Sequence, residues 1–333
     1  MYTIVSLFAG AGGLDLGFLG GFSVIGKSYE RTKFDIVKAY EWNEQAVEVY
    51  RQNIGEHIRQ ADVRDVDFLE TSTAVDVVIG GFPCQDFSIS GKRQHLTVER
   101  GKLYLEFRRA IATLKPKYFV AENVKNLANI LDGQVLQTIV SDFEDAGYRV
   151  QHRVLHGADF GVPQNRERVI IIGTRADIPV TASYPSPLLS SHDWVTAKDA
   201  IDDLWGEESH GRHLNHSTYS KAKFRENNRS QGNRRIHPDK VAPTIRSEHH
   251  GNIEGHYRTN GDPSDLSTWR RLTPRECARL QTFPDDFAFS MQQTHSYRQI
   301  GNAVPPVLGW HVAKSIEQAL DTYHEQKEDR SSH

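Results

Sequence analysis

The chain has little sulfur and no long apolar run. With two cysteines, Cys84 and Cys277, in 333 residues, it lacks the material for a disulfide framework, and a small stapled secreted fold is excluded. Position 87, three beyond Cys84, is Phe, and no His-x-Glu pair is present. The ligand spacing of a zinc deaminase is therefore missing and no metal is expected. The opening residues 3–8 are strand-like and carry no cationic leader, and no stretch reaches the length of a membrane span. A reducing cytoplasm, in which Cys84 stays a free thiol, is the expected compartment. Positive charge is also short: 40 Lys and Arg against 43 Asp and Glu leave −3, which argues weakly against a nucleic-acid partner.

The charge that is present lies unevenly. Between positions 210 and 275 there are thirteen Lys or Arg against six Asp or Glu, with seven His, so the remainder of the chain is acidic. One face can then meet phosphates while the whole stays soluble, although a solvated, loop-rich surface reads the same way. At 38% apolar and 25% charged, the chain is a globular one, long enough for one large domain or two ordinary ones.

Residues 3–8 form a β-rich run that breaks into Ala9-Gly10-Ala11-Gly12-Gly13 and then a helix-like Leu14 to Phe18. Strand, glycine turn and helix make the unit that lets a backbone approach a bound nucleotide. A dinucleotide fingerprint requires a third glycine where Asp15 stands, and no Lys-Ser/Thr ends the turn as in a P-loop. A second run ends in Glu41-Trp42, with Asn43 capping the next helix; a third ends in Asp62-Val63. Acids at strand tips usually cap helices. A glycine-rich tip followed by a Glu tip and an Asp tip, in that order, describes a nucleoside pocket.

The apolar run through Val78 and Ile79 stops at Gly80-Gly81 and continues Phe82-Pro83-Cys84-Gln85. A strand ending this way displays the next side chains at the sheet edge, where ligands of open α/β folds bind, and Pro83 stiffens the turn. Taken alone, one cysteine in a loop is more often inert than nucleophilic. A polar, basic stretch follows over 88–100, and another strand delivers Glu122-Asn123-Val124 to the same edge. Strands alternate with helices to about residue 178, which calls for a doubly wound, mostly parallel α/β sheet. Beyond 179 Pro, Ser, His, Asn and Arg dominate. Regular structure resumes at Thr273-Pro274-Arg275-Glu276, a capping box with proline at the first helical position, and a last amphipathic helix spans about 307–320. Cys277 reads as core.

These motifs, in this order, resemble the DNA cytosine-5 methyltransferases of bacterial restriction-modification systems. The match runs from the Phe8 to Gly13 turn through Pro83-Cys84-Gln85, Glu122-Asn123-Val124, Gln164 to Arg168 and Arg271 to Pro284 to Gly301-Asn302-Ala303-Val304; it omits about 180–268. The resemblance implies an S-adenosylmethionine-dependent, Rossmann-like catalytic domain over 1–178 plus about 297–333. It also implies a smaller, irregular target-recognition domain over 179–296. It gives S-adenosyl-L-methionine contacts to Phe8, Ala9, Gly10, Gly12, Gly13, Leu14, Glu41, Trp42, Asp62, Val63, Leu103, Asn302 and Ala303. Catalytic roles fall on Cys84, Glu122, Arg166 and Arg168: attack at C6 of cytosine by Cys84, a proton at N3 held by Glu122, contact with the base O2 by Arg168, and support of the site or a phosphate by Arg166. To donate, Glu122 must be protonated, so an apolar site that raises its pKa is expected.

Cytosine C6 is inaccessible in a stacked duplex, so the base must be flipped out. The DNA contacts expected are Gln85, Ser88, Lys92, Arg93 and Arg100 around the base, with Arg234, Arg235, Thr244 and Arg246 in the basic segment. Duplex DNA is the expected partner, and a restriction endonuclease acting on the same site the expected companion, with no membrane involved. A tRNA cytosine-5 methyltransferase of the same fold is the nearest alternative, disfavoured by the long basic segment and by Gln85-Asp86 after the Pro-Cys pair. A cysteine hydrolase has no use for the nucleoside pocket. A catalytically silent DNA-binding regulator has no use for Cys84, Glu122 and Arg168 together.

Overall fold

Residues 1–71, 74–83, 103–207, 210–221, 224–225, 233–247, 255–258, 265 and 269–331 are described by the computed structural model. Strand β1 (Tyr2–Leu7) leads through the glycine turn into helix α1 (Gly13–Leu19). A hairpin of β2 (Phe22–Val24) and β3 (Lys27–Tyr29) follows, then β4 (Phe34–Glu41), α2 (Glu44–Asn53) and β5 (Ile58–Gln60). Asn43 caps α2 as its position before an apolar-periodic stretch requires, its side chain accepting from Ala46 N at 3.0 Å. The second half of the wind is β6 (Val77–Gly81), α3 (Leu103–Leu114), β7 (Tyr118–Val124), α4 (Gln134–Glu144), β8 (Tyr148–His156) and β9 (Glu167–Arg175). No described helix is long and apolar enough to cross a membrane.

Among the described residues the main sheet has seven strands in the order β5-β4-β1-β6-β7-β9-β8. The first five are parallel, and β9 runs against both of its neighbours. β1 sits between β4 and β6 because the chain first builds outward on one side and then returns to the other. That reversal opens a crevice at the carboxyl end of β1, where ligands of such sheets lie.

Alternation along β1 sends Ile4 to one face and Val5 and Leu7 to the other. The first face is covered by α1, part of α2 and the C-terminal helix α8 (Pro306–Ser331). The second is covered by α3 and α4 through Phe107, Ile111, Ile139 and Phe143. A third core joins α5 (Ala197–Ile201), α6 (Pro274–Leu280) and α7 (Gln293–Asn302) with Ile236, Ala242, Ile245 and Tyr257, and it touches the sheet unit at Ala11 and Val49. A small hairpin, β10 (His256–Arg258) with β11 (Trp269–Arg271), belongs to this second unit. Past position 178 the chain stays on the large unit for a few residues: Ala182 and Tyr184 pack on the first core.

Two features depart from the sequence reading. The run ending at Glu41 is the second strand of the sheet on its side but the fourth in the chain, because β2 and β3 intervene. Their turn places Ile25 and Gly26 at φ of 49° and 68°, the conformation of a two-residue hairpin turn usually marked by Asn-Gly, so Ile-Gly carried no signal. The last helix also runs eleven residues beyond 320. The capping box is as read: Thr273 Oγ1 accepts from Glu276 N, and Thr273 N donates to Glu276 Oε2 at 2.7 Å, while Cys277 is fully buried.

Candidate active site

Sheet register brings the strand tips together. Leu7 is level with Tyr40 on one side and Gly80 on the other, and Gly81 is level with Glu122. The glycine turn, the Glu41 tip, the exit of β6 towards Pro83 and the Glu122 carboxyl therefore line one edge. The tip of β5 joins them through the Glu41–Gln60 pairing.

Around the glycine turn the backbone is strained where a ligand would approach it. Phe8 has φ 54° and Gly10 φ 56°, and a Cβ on Gly10 would meet nothing within 4 Å, so the tip of the turn faces open space. Gly10 N donates to Glu41 Oε2 and Asn43 N to Glu41 Oε1, both at 2.9 Å. Burial pushes the Glu41 carboxyl up, and these amide donors pull it part-way back. Next to it Trp42 is 69% exposed, an indole face on open ground. Ala303 comes to the same place from the α7–α8 connection, since a Cβ on Gly13 would stand 3.0 Å from Ala303 Cβ; Asn302 ends α7 and is exposed.

Other expected cofactor residues face inward. Ala9 and Leu14 are buried in the first core and Val63 in the second, with Leu103 half-buried beside it. Asp62 caps a short 3-10 turn and binds Arg64 through Nε (3.0 Å) and Nη2 (2.6 Å). Those bonds hold its carboxyl below the ordinary range. Sequence reasoning missed Arg109 of α3. Its guanidinium donates to the carbonyls of Val63 (2.7 Å) and Val66 (2.9 Å) and lies 4.5 Å over Phe68, pinning the turn that follows β5. Nothing in the local sequence links positions 63 and 109.

Glu122 and Arg168 are diagonal neighbours on adjacent strands, since Glu122 pairs with Ile170 and Val124 with Arg168. Arg168 Nε donates to Glu122 Oε1 at 2.7 Å, with both side chains about one-tenth exposed. Burial pushes the Glu122 carboxyl up, and the Arg168 and Arg166 charges counteract only part of that. Gly81 leaves room for it: a Cβ there would stand 2.9 Å from Glu122 Oε2. Asn123 Nδ2 donates to Phe82 O at 2.9 Å, which fixes the chain immediately before Pro83. Cys84, Gln85, Ser88, Lys92, Arg93 and Arg100 lie outside the described residues.

Arg166 lies behind this pair. It is fully buried, with Nη1 donating to Ile245 O (2.8 Å) and Nη2 to Gly301 O (3.0 Å) and Ala303 O (2.7 Å). A buried guanidinium needs acceptors, and it finds them in three carbonyls on two backbone segments, so Arg166 braces the site from behind. Beside it Gln164 Nε2 donates to Gln281 Oε1 (2.7 Å), and Gln164 Oε1 accepts from Ile245 N (3.0 Å). Four of the expected DNA residues are described. Thr244 donates its hydroxyl to Asn165 O; Arg234 and Arg246 are exposed; Arg235 is half-buried over Phe224 (5.1 Å) and Trp269 (5.6 Å). Three arginines of the basic segment are not surface charges at all. Arg270 forms a buried two-point pair with Glu276, Arg275 donates to the carbonyls of Leu214, Pro284 and Phe287, and Arg271 is 5% exposed.

A family model described as C-5 cytosine-specific DNA methylase matches residues 2–318. The chain belongs to that family. It is a DNA cytosine-5 methyltransferase of the restriction-modification type. The methyltransferase is 37% identical to Type II methyltransferase M.NgoFVII of Neisseria gonorrhoeae, over 94% of this chain and 86% of that one. It is 35% identical to Type II methyltransferase M.BspRI of Lysinibacillus sphaericus, over 97% and 83%. Among solved structures, an E. coli prophage-encoded protein described as a DNA modification methyltransferase superposes with a TM-score of 0.71 at 24% identity, covering 96% of this chain and all of that one. A mutant of Spodoptera frugiperda DNMT2 gives 0.68 at 16% identity, over 95% and 99%. At those identities the likeness is one of fold, and the methyltransferase shares the doubly wound sheet of both.

Proposed function

We propose that this methyltransferase transfers a methyl group from S-adenosyl-L-methionine to C5 of a cytosine flipped out of a short, specific duplex sequence, through a covalent Cys84–C6 adduct. The observation that carries the reading is the buried Glu122–Arg168 pair, level with Gly81 at the exit of β6 and on the same edge as the Gly10–Glu41 crevice. The crevice suits the cofactor. An open glycine tip offers backbone to a carboxylate or amine, a buried Glu41 lies at ribose height on the neighbouring strand, and Trp42 presents an aromatic face for adenine. Phe8, Gly12, Gly13 and Ala303 complete that wall, with Asp62 and Val63 at the next tip. When bound, the cofactor supplies an electrophilic methyl on a sulfonium centre.

The chain's own residues make cytosine C5 able to accept it. C5 is part of an aromatic ring and a poor nucleophile, and addition of the Cys84 thiolate at C6 breaks the conjugation. Negative charge then builds towards N3, where Glu122 holds a proton. Burial shifts the carboxyl towards that protonated form, and Arg168 fixes the carboxyl's orientation and reaches the base O2. After transfer the C5 proton leaves and Cys84 is eliminated, restoring the ring. Arg166 and Asn123 hold the surrounding backbone. Gln85, Ser88, Lys92, Arg93 and Arg100 are assigned to contacts around the base, and Arg234, Arg235 and Arg246 to phosphates and base edges.

We assign catalysis to 1–178 with about 297–333, target recognition to 179–296, and the cytoplasm as the compartment that keeps Cys84 reduced. A companion endonuclease cutting the same sequence gives the modification its purpose. The test is tritium transfer from labelled cofactor to duplex DNA and to tRNA, with Cys84→Ser alongside. Duplex labelling that Cys84→Ser abolishes while cofactor affinity is retained supports the reading; labelling of tRNA alone, or full activity without the thiol, overturns it. A duplex with fluorine at the target C5 should be captured as a complex that survives denaturing gels, because fluorine cannot leave as a cation.

A further inference from the structure

Behind the glycine turn lies a polar network with no part in the steps above. Asp15, in the first turn of α1, is 1% exposed. Its Oδ2 accepts from the Ser6 hydroxyl at 3.0 Å and its Oδ1 from the Tyr50 hydroxyl at 2.8 Å. Tyr50 Oη lies 3.0 Å from His57 Nε2. The phenol's one proton goes to the carboxylate, so the imidazole donates in that second pair. Ser6 precedes the turn and Asp15 follows it, and their bond closes the neck of the loop. Tyr50 forms its floor: a Cβ on Gly12 would stand 3.0 Å from the tyrosine ring.

Such bracing answers a local need. Phe8, Gly10 and Gly12 all take left-handed φ values, and α1 starts on Gly12 without a side-chain cap. Within itself the turn has the Gly12 N to Ala9 O bond at 2.9 Å, and no side chain of its own caps the helix start. An apolar pair at 15 and 50 would suit a core better, since enclosing a carboxylate is unfavourable. Burial pushes Asp15 up to about 6, with Tyr50 and Ser6 pulling it down. The groups that face it are Ser6 from β1 and Tyr50 from α2. His57 acts through Tyr50 and is itself near Asp35. From α8 the backbone of Pro306 and Gly309 meets α1 at Gly17, Gly309 also lies against Leu14, and the α8 side chains in the same core are apolar.

We propose that Ser6, Asp15 and Tyr50 form a clamp that holds the glycine turn in its cofactor-binding shape, with Asp15 and Tyr50 as positioning residues that set affinity for S-adenosyl-L-methionine. The clamp rests on the reading of this turn as the cofactor site. Tyr50→Phe keeps the ring against Gly12 and removes only the hydroxyl. Tyr118→Phe is the control: it removes another buried hydroxyl, 2.7 Å from Val180 O at the opposite end of the sheet.

The experiment is calorimetric titration of the full chain with S-adenosyl-L-methionine between pH 5.5 and 8, with kcat measured at saturating cofactor. Loss of a hydrogen bond to a charged group weakens cofactor binding about tenfold in Tyr50→Phe, with kcat unchanged and binding by Tyr118→Phe as in the wild type. The wild-type dissociation constant has an inflection near pH 6. It moves to higher pH in Tyr50→Phe, which lacks one of the groups lowering Asp15, and vanishes in Asp15→Asn. Wild-type affinity and an unmoved inflection in Tyr50→Phe overturn the clamp, as does equal weakening by Tyr118→Phe. Absence of binding by the wild type instead overturns the cofactor reading itself.

Discussion

Asp15 and Glu122 are enclosed acids, and their titration gives the sharpest expectations for single residues. Asp15 has an ordinary value of 3.8 and is pushed up by burial to about 6. Folded protein therefore holds this proton at pH values where unfolded chain has released it. The resulting stability is fully present below pH 3.8 and is lost as pH rises through about 6. The difference corresponds to about 3 kcal/mol for this fully buried group. Asp15→Asn carries no such ionisation, so its melting temperature relative to the wild type should rise between pH 5 and pH 7.5 in thermal melts; a constant difference across that range contradicts the buried titration. Glu122 is also raised by burial, and its protonated form is the useful one. The rate should fall as pH rises through that raised value, and Glu122→Gln should remove this limb while lowering kcat by about 10² to 10⁴. Single-turnover methylation across pH measures both.

Among the elements, α1 and α8 depend on two facing glycines. A Cβ on Gly17 would stand 2.6 Å from Pro306 O and 2.8 Å from Gly309 Cα, so the helices touch backbone to backbone. Gly17→Val should destabilise by about 1–3 kcal/mol through overpacking, measured by urea unfolding, and the glycine turn at the head of α1 should loosen with it. Elements with a local signature were legible in the sequence. Asn43 announced α2, the Thr273 and Glu276 pair announced α6, and Leu103, Phe107, Ile111 and Leu114 traced α3. The β2–β3 hairpin was not, because Ile25 occupies a conformation its branched side chain disfavours.

At the scale of the whole molecule, the last helix completes the first core. Val307, Leu308, Val312, Ile316 and Leu320 pack with residues of β1, β4 and α1. A chain ending at 304 should expose that face, bind hydrophobic dye and lose its cooperative melt, and the separate 305–333 peptide should restore both. Arg166 and Gln164 both bond to the backbone of Ile245, which ties the sheet unit to the third core. Charge also reads differently once folded. Arg234 and Arg246 are exposed while Arg270 and Arg275 are enclosed. Replacing either of the first two by Ala should lower the salt slope of DNA affinity by about one for each phosphate left without its cation. Replacing Arg275 should lower stability and leave the slope unchanged, as anisotropy titrations at several salt concentrations would report.

Local structure carried by short contiguous motifs was readable before any folding: the glycine turn, the strands that end at Glu41 and Glu122, and the strand that holds Arg168. Each motif is a local event, a chain reversal or a strand end, which residue type alone dictates. Which of those residues meet was settled by packing. Arg168 belongs to Glu122 and not to a neighbouring acid; Arg166 lies behind the site; Arg109, Asp15 and Tyr50 support it from positions far apart in the chain. A buried charge must find its partner wherever the sheet register and the helix faces bring one, and register is a property of the assembled core that no window of sequence contains.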